Sequence, residues 1–418
     1  MSGEVRVGVE IDHDALRRNL ARARGVLPRE CSILGVVKAN AYGHGAVEVS
    51  RTLEAEGIAM LGVGDAGEGA ALRRAGIGLP ILVLGASLEG ELPTLIAEGI
   101  IPSLDSLESI ESMARAAARA GVRLPVHLLV DSGMGRLGVP AASAPAALRR
   151  VRATPSLRLA GLATHLPSPD QEAFTREQLA RFRSVVDAAI ASGDRPPSIH
   201  VASTGAFDRH PEAWFDGVRL GGYLYGFRKS GGGHGEAPSP VLSLHAPVCH
   251  LRDHAAGTPI GYGGAWVAPR ASRIATLPIG YHDGIPYSLG GRGEVLLRGR
   301  RAPIIGRVTM DYVMVDATEV PEVRVGDRAT LIGAQEGESI SIGEVADRAG
   351  TIPYEICSRL GPRAVRVHRG AARGGDAPTP AEAARGALPE PPSGDMPAGH
   401  PARRGSLLPT PDAGSGSS

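Results

Sequence analysis

The chain has 418 residues, enough for two domains and a substantial core, and its 45 Lys and Arg against 44 Asp and Glu leave a formal net charge of +1. That balance offers no electrostatic footprint for nucleic acid or an anionic membrane, so small-molecule chemistry is the expectation. Cys31, Cys249 and Cys357 are widely spaced without a CxxC pair, which argues against a disulfide framework and a structural zinc site; no metal is expected, and a reducing cytoplasm fits. Residues 1–11 are charged and lack an apolar leader core, and no stretch is long enough to cross a bilayer, so a soluble, unprocessed protein is expected.

In chain order, short apolar runs alternate with amphipathic ones. Strands are predicted at 33–37, 59–64, 80–85, 100–103, 125–130, 159–164, 198–202 and 216–220, with helical runs such as 46–56, 107–120 and 171–191 between them, closed by signals such as Gly121 and Gly193. Eight such alternations point to a (β/α)8 barrel over residues 1–235 rather than an open doubly wound sheet, and place the active site at the strand C-termini. Residues 229–240 are rich in Gly, Ser and Pro and read as a loop or linker. Strand-like runs at 241–251, 273–279, 294–297, 312–315 and 328–332 follow, then helices at 342–348 and from Pro353, giving a mainly β domain over 236–369. Residues 370–418 are dominated by Ala, Pro, Gly and Ser and read as a disordered tail.

The first of those strands ends on a lone lysine, Lys38, followed at once by Ala39-Asn40-Ala41-Tyr42-Gly43-His44-Gly45. An amine at the apolar mouth of a parallel sheet loses proton affinity through desolvation, which frees its lone pair to form a Schiff base with an aldehyde; a lysine snorkelling from a strand end is the plain alternative. Later strand ends carry Asp131-Ser132-Gly133-Met134-Gly135-Arg136, Thr164-His165, Ser203-Thr204 and Arg219-Leu220-Gly221-Gly222. Taken singly, Arg136 reads equally as a surface ion-pair partner, His165 as a core histidine and Gly221-Gly222 as a turn. Together at one mouth they describe a site for a phosphorylated, planar, aldehyde-bearing cofactor, with phosphate on backbone N–H groups and hydroxyls and a ring against the imidazole.

With Gly280-Tyr281-His282-Asp283-Gly284, Met310-Asp311 and Pro353-Tyr354-Glu355 added in order, residues 5–369 resemble the alanine racemases, pyridoxal-phosphate enzymes of fold type III. The resemblance implies that Lys38 carries pyridoxal 5'-phosphate, that Tyr42, Thr204, Gly221, Gly222 and Tyr354 surround its phosphate, that His165 packs on its ring and that Arg219 bonds the pyridine nitrogen. It makes Tyr262 the second catalytic base and Met310 a substrate-carboxylate contact, both offered by the partner subunit of a homodimer. It gives Arg136 to substrate binding, puts Asp170, His200, Arg307 and Ile352 along an access channel, and makes Tyr281 and Tyr354 its inner gate. The implied reaction interconverts L- and D-alanine, with D-alanine serving peptidoglycan synthesis as the usual role.

Two bases on opposite faces of Cα suit such a reaction: Lys38 from the barrel and Tyr262 across an interface, its phenolate favoured by cations such as Arg136 and by a path through His165 to Arg219. A guanidinium, whose pKa exceeds about 12, keeps its proton, so a ring nitrogen facing Arg219 stays unprotonated and the ring is a weaker electron sink, which limits transamination. Leu129, Ser203-Thr204, Thr309 and Pro167 depart from the family pattern. At Leu129 the family commonly has a lysine, often carbamylated, that holds the neighbouring arginine, so Arg136 needs another partner or an anion such as chloride. A racemase for serine or a broader amino-acid set is the main alternative; a barrel decarboxylase for basic amino acids and a non-catalytic cofactor-binding protein are the others.

Overall fold

The computed structural model describes residues 5–193, 195–227, 233 and 236–372. The expected linker at 229–240 lies partly outside these residues, and the expected tail at 370–418 almost wholly so.

The first domain is a nearly closed barrel of eight parallel strands, Ser32–Val36, Met60–Val63, Ile81–Val83, Ser103–Leu104, Leu124–Asp131, Leu157–Ala163, Ile199–Ser203 and Gly217–Leu220. Numbered in chain order, the strands neighbour one another as 3-2-1-8-7-6-5-4, and a parallel bridge between Leu82 and Ile101 joins the two ends of that path. Buried parallel strands are covered on one side by helices and on the other by the barrel interior, which explains their continuous apolar runs. The helices begin where the sequence supplies caps: Asp65 accepts the Glu68 N–H at the start of Ala66–Arg74, and Ser106 accepts the Ser109 N–H at the start of Leu107–Arg119.

The second domain is built on a ten-stranded sheet. The single strand expected over 241–251 is two, Leu242–Pro247 and His250–His254, the first pairing with Arg328–Gln335 and the second with Ser272–Leu277. Pro247 closes the first because it has no N–H to carry the ladder onward. Strands Arg300–Ile305 and Val365–Arg369 and the opening strand Gly8–Asp12 add to the expected set. Gly8–Asp12 pairs not with the barrel but within this second sheet, antiparallel to Leu242–Pro247 and parallel to Val365–Arg369. Gly8 sits where any Cβ would lie 2.3 Å from the His245 ring, so only glycine fits that crossing. The helices are Ile342–Ala349 and Pro353–Ser358, and the latter reaches back over the barrel mouth, bringing Ile352 and Tyr354 to the main cavity. Cys31, Cys249 and Cys357 are free thiols. Among the described residues no helix is long and apolar enough to cross a membrane.

Candidate active site

A cavity of about 920 Å³ opens at the C-terminal ends of the barrel strands. Lys38 stands on its wall directly after the first strand, where the Val37 N–H donates to the Gly62 carbonyl at 2.8 Å. The next four residues, Ala39, Asn40, Ala41 and Tyr42, all have φ between 51° and 54°. They form a left-handed turn, a conformation that costs L-residues roughly 1–2 kcal/mol each and therefore persists only where the surroundings impose it. Burial depresses the Lys38 amine below the usual lysine range, the Arg136 and Arg219 charges press it further down, and the Glu68 carboxylate acts in the opposite direction. A fraction of uncharged amine at neutral pH is what a nucleophilic or basic lysine needs.

Arg219, on the last barrel strand, is buried and held on several sides. Its Nη1 donates to the His200 carbonyl at 2.7 Å and faces His200 Nδ1 at 2.9 Å; its Nη2 donates to the carbonyls of Thr164 and Val201 at 2.8 and 2.9 Å and faces His165 Nδ1 at 3.2 Å. Burial lowers the guanidinium to about 10, which still leaves it charged at neutral pH. As a guanidinium can only donate, it fixes Nδ1 of both histidines as acceptors and so places their protons on Nε2. His165 is held neutral, its pKa lowered to about 3 by burial first and then by Arg219, Arg136 and Lys38. His165 thus faces the cavity with a donor that Arg219 orients.

His200 corrects an expectation. It is only 4% exposed and does not line an access channel; its Nε2 meets His127 Nδ1 at 2.8 Å in the barrel interior. The reason is the alternation of a strand, which turns position 200 inward beside Arg219. Gly161 makes room for that pair, since a Cβ there would lie 2.4 Å from the His127 ring.

Tyr42, Thr204, Gly221, Gly222 and Tyr354 gather at one end of the cavity. A Cβ on Gly221 would meet the Tyr42 hydroxyl at 2.8 Å, and one on Gly222 the Tyr354 hydroxyl at 2.3 Å, so the two glycines let both phenols close over the backbone. No described residue accepts the N–H of Gly221 or of Gly222, while Thr204 Oγ1 accepts the Tyr223 N–H at 3.1 Å. Burial raises both the Tyr42 and Tyr354 phenols, so both remain hydroxyl donors. Paired N–H groups with hydroxyls around them form a cradle for a phosphate monoester. With the neighbouring amine and the cationic Arg219, this donor set fits pyridoxal phosphate.

Arg136 and Leu129 line the same cavity, and no described carboxylate pairs with Arg136. The obvious candidate is spent elsewhere: Asp131 accepts the N–H groups of Gly133, Met134 and Gly135, which shapes the loop that carries the arginine. Leu129 supplies only an apolar wall. Pro167 also lines the cavity, and the Thr309 hydroxyl is engaged with the backbone of Tyr312.

Tyr262 and Met310 lie elsewhere, on the surface of the second domain, 71% and 53% exposed. The backbone at 281–282 is bonded to that at 309–310, the Tyr281 N–H donating to the Thr309 carbonyl at 2.9 Å and the His282 N–H to the Met310 carbonyl at 3.2 Å. Asp283 and Asp311 are tied to each other by Arg363, which bonds both. Arg307 lies near Gly263, beside Tyr262. Of the expected channel and gate residues, Ile352 and Tyr354 line the barrel cavity, while Asp170 lies on the loop after the sixth strand and is not part of its lining. One chain therefore brings together the lysine, the phosphate cradle and the arginines, and presents Tyr262 and Met310 outward.

Three residues to which the sequence reading gave no role also shape this site. Glu68 bonds the backbone after Lys38, His44 bonds the far side of the same turn, and His127 supports His200. For Glu68 a signal existed in Asp65-x-x-Glu68, a capping-box spacing whose carboxylate reaches backward.

Residues 11–229 match the family model of the alanine racemase N-terminal domain, and residues 241–368 that of the alanine racemase C-terminal domain. The chain is 39% identical over 363 residues to an alanine racemase of Halothermothrix orenii, covering 86% of this chain and 96% of that protein. It is 41% identical over 367 residues to one of Geobacter sp. strain M21, covering 86% and 97%. Among solved structures it resembles the alanine racemase of Clostridium difficile 630, with TM-score 0.82, 31% identity and coverage of 87% and 96%. The likeness to the alanine racemase of Bacillus anthracis with bound L-Ala-P is similar, with TM-score 0.81, 33% identity and coverage of 90% and 97%.

Proposed function

The chain belongs to the alanine racemase family and is an enzyme; from that premise we propose that it interconverts L- and D-alanine with pyridoxal phosphate, using one base from each of two subunits. The observation that supports this reading best is the split between the lysine-bearing cavity and the outward-facing Tyr262. Pyridoxal phosphate, when bound, supplies a carbonyl for covalent linkage to the amino acid and an electron-withdrawing ring that acidifies its Cα–H. Lys38 would hold it, with Tyr42, Thr204, Gly221, Gly222 and Tyr354 at the phosphate, His165 against the ring and Arg219 at the ring nitrogen. Lys38 Nζ then moves a proton on one face of Cα, and the phenolic oxygen of Tyr262 of the partner subunit on the other. Arg136, and Met310 of the partner subunit, hold the substrate carboxylate. In this reading the Nε2–H of His165, set by Arg219, is directed at Tyr262 of the partner subunit. Tyr281, Arg307, Asp170 and Ile352 border the approach to the joined site, and the D-alanine formed supplies peptidoglycan synthesis in the cytoplasm.

The deciding experiment offers the purified full-length protein a panel of L-amino acids and scores the products by chiral chromatography. Alanine is expected to turn over fastest; faster serine turnover would replace the substrate assignment while leaving the reaction class.

We also propose that a small anion, chloride, supports Arg136 in place of the lysine common at position 129. Loss of one charge-assisted contact, worth roughly 1.5–3 kcal/mol, should appear chiefly in KM. Replacing chloride by a bulky anion at constant ionic strength is expected to raise KM by about tenfold or more, and Leu129→Lys in bicarbonate should blunt that response. A KM indifferent to the anion in both proteins rejects the chloride.

A further inference from the structure

The left-handed turn after Lys38 is held at both ends by side chains. At its start one carboxylate takes two backbone donors: Glu68 Oε1 accepts the Ala39 N–H at 2.7 Å, and Oε2 accepts the Gly64 N–H at 2.8 Å. The residue after Lys38 is thereby tied to the end of the second barrel strand. At its far side Asn40 Oδ1 accepts the Ala46 N–H at 2.8 Å, and His44 Nδ1 lies 3.0 and 2.9 Å from the carbonyls of Ala41 and Tyr42. Carbonyls only accept, so His44 carries its proton on Nδ1, and its buried ring stacks on Tyr225 with centroids 4.5 Å apart. Glu68 itself is placed by Asp65, which caps the first turn of Ala66–Arg74 through the Glu68 N–H. A Cβ added at Gly64 would lie 3.3 Å from Glu68 Oε2 and 3.7 Å from Lys38 Cβ, so carboxylate, glycine and lysine are packed against one another.

Resting on the cofactor reading above, we propose that Glu68 is a positioning residue for Lys38, fixing through two backbone N–H groups the left-handed turn from which the lysine and the Tyr42 hydroxyl enter the cavity. Helix capping alone does not account for it, because the carboxylate spans two separate segments, one of them the backbone of the lysine turn. Its charge adds to its geometry. Burial, Arg136 and Arg219 all disfavour the protonated amine, and Glu68 is the carboxylate that opposes them. Removing the charge should release the Lys38 proton at lower pH, whereas shortening the side chain with the charge kept should loosen the turn without that change.

The test strips the full-length protein of cofactor with hydroxylamine, returns pyridoxal phosphate across a pH series, and follows capture at Lys38 by borohydride trapping and mass spectrometry. Glu68→Gln is expected to move the half-maximal rate of capture to lower pH and to slow the plateau by about tenfold, a cost in keeping with lost orientation of a reacting group. Glu68→Asp is expected to keep the wild-type midpoint with a slowed plateau. A Glu68→Gln midpoint equal to wild type overturns the proposal, because a purely structural prop leaves the titration where it was. If Glu68→Gln fails to fold, a wild-type plateau in Glu68→Asp overturns it instead. Wild-type protein that captures no cofactor at Lys38 refutes the cofactor reading itself, an outcome distinct from wild-type capture with unaffected variants.

Discussion

Lys38→Ala is expected to lose at least about 10³-fold in alanine racemisation, the scale of removing a positioned general base, and to lose the visible absorbance of the bound cofactor. Among the described residues no second amine lines the cavity: the other cationic groups on its wall are Arg136 and Arg219, and Arg219 is locked by backbone carbonyls and two histidines. The fall should be equally deep for exchange of the α-proton with solvent deuterium, measured from either enantiomer by mass spectrometry. An active Lys38→Ala enzyme without added amine would sink the assignment.

Mixing two dead proteins should restore activity. Tyr262→Phe removes the hydroxyl proposed as the second base and is expected to cost roughly 10²–10⁴-fold on its own. In a symmetric dimer with shared sites, a Lys38→Ala chain paired with a Tyr262→Phe chain contains one site with both bases and one with neither. Random re-pairing makes half of the dimers mixed, so recovery should approach about one quarter of wild-type activity. The placement of Tyr262 on an outward face, apart from the cavity of its own chain, is what motivates the experiment. No recovery after subunit exchange has been verified by native mass spectrometry counts decisively against shared sites.

How far these residues were legible depended on where their constraints came from. The eight barrel strands stood out because a parallel strand buried on both faces must be apolar throughout, and glycines or caps punctuate each return. Gly8–Asp12 did not, since a five-residue strand holding Glu10 and Asp12 has no such run and its partners are distant in sequence. Lys38, Arg219 and the glycine pair were readable as a constellation at successive strand ends. His200 was placed wrongly because motif position says nothing of whether a strand side chain turns into the barrel or toward its rim. Glu68 escaped notice for a different reason: a glutamate in the first turn of a helix has an ordinary explanation in the helix dipole, and only the fold shows its carboxylate spanning to the backbone of Ala39.

The pairing of Gly8–Asp12 with both Leu242–Pro247 and Val365–Arg369 has a consequence for biosynthesis. As the polypeptide leaves the ribosome, this first strand emerges with both of its hydrogen-bonding edges bare. Apart from the closing pair, Ser32–Val36 with Gly217–Leu220, the barrel strands that follow find their neighbours within a few tens of residues, while the opening strand must wait for the whole barrel to be translated before its first partner exists, and for nearly all of the second domain before its other partner does. The barrel is therefore able to close during translation, but the second sheet is not, and a nascent chain arrested before Val365 leaves one edge of its first strand open for pairing with another chain.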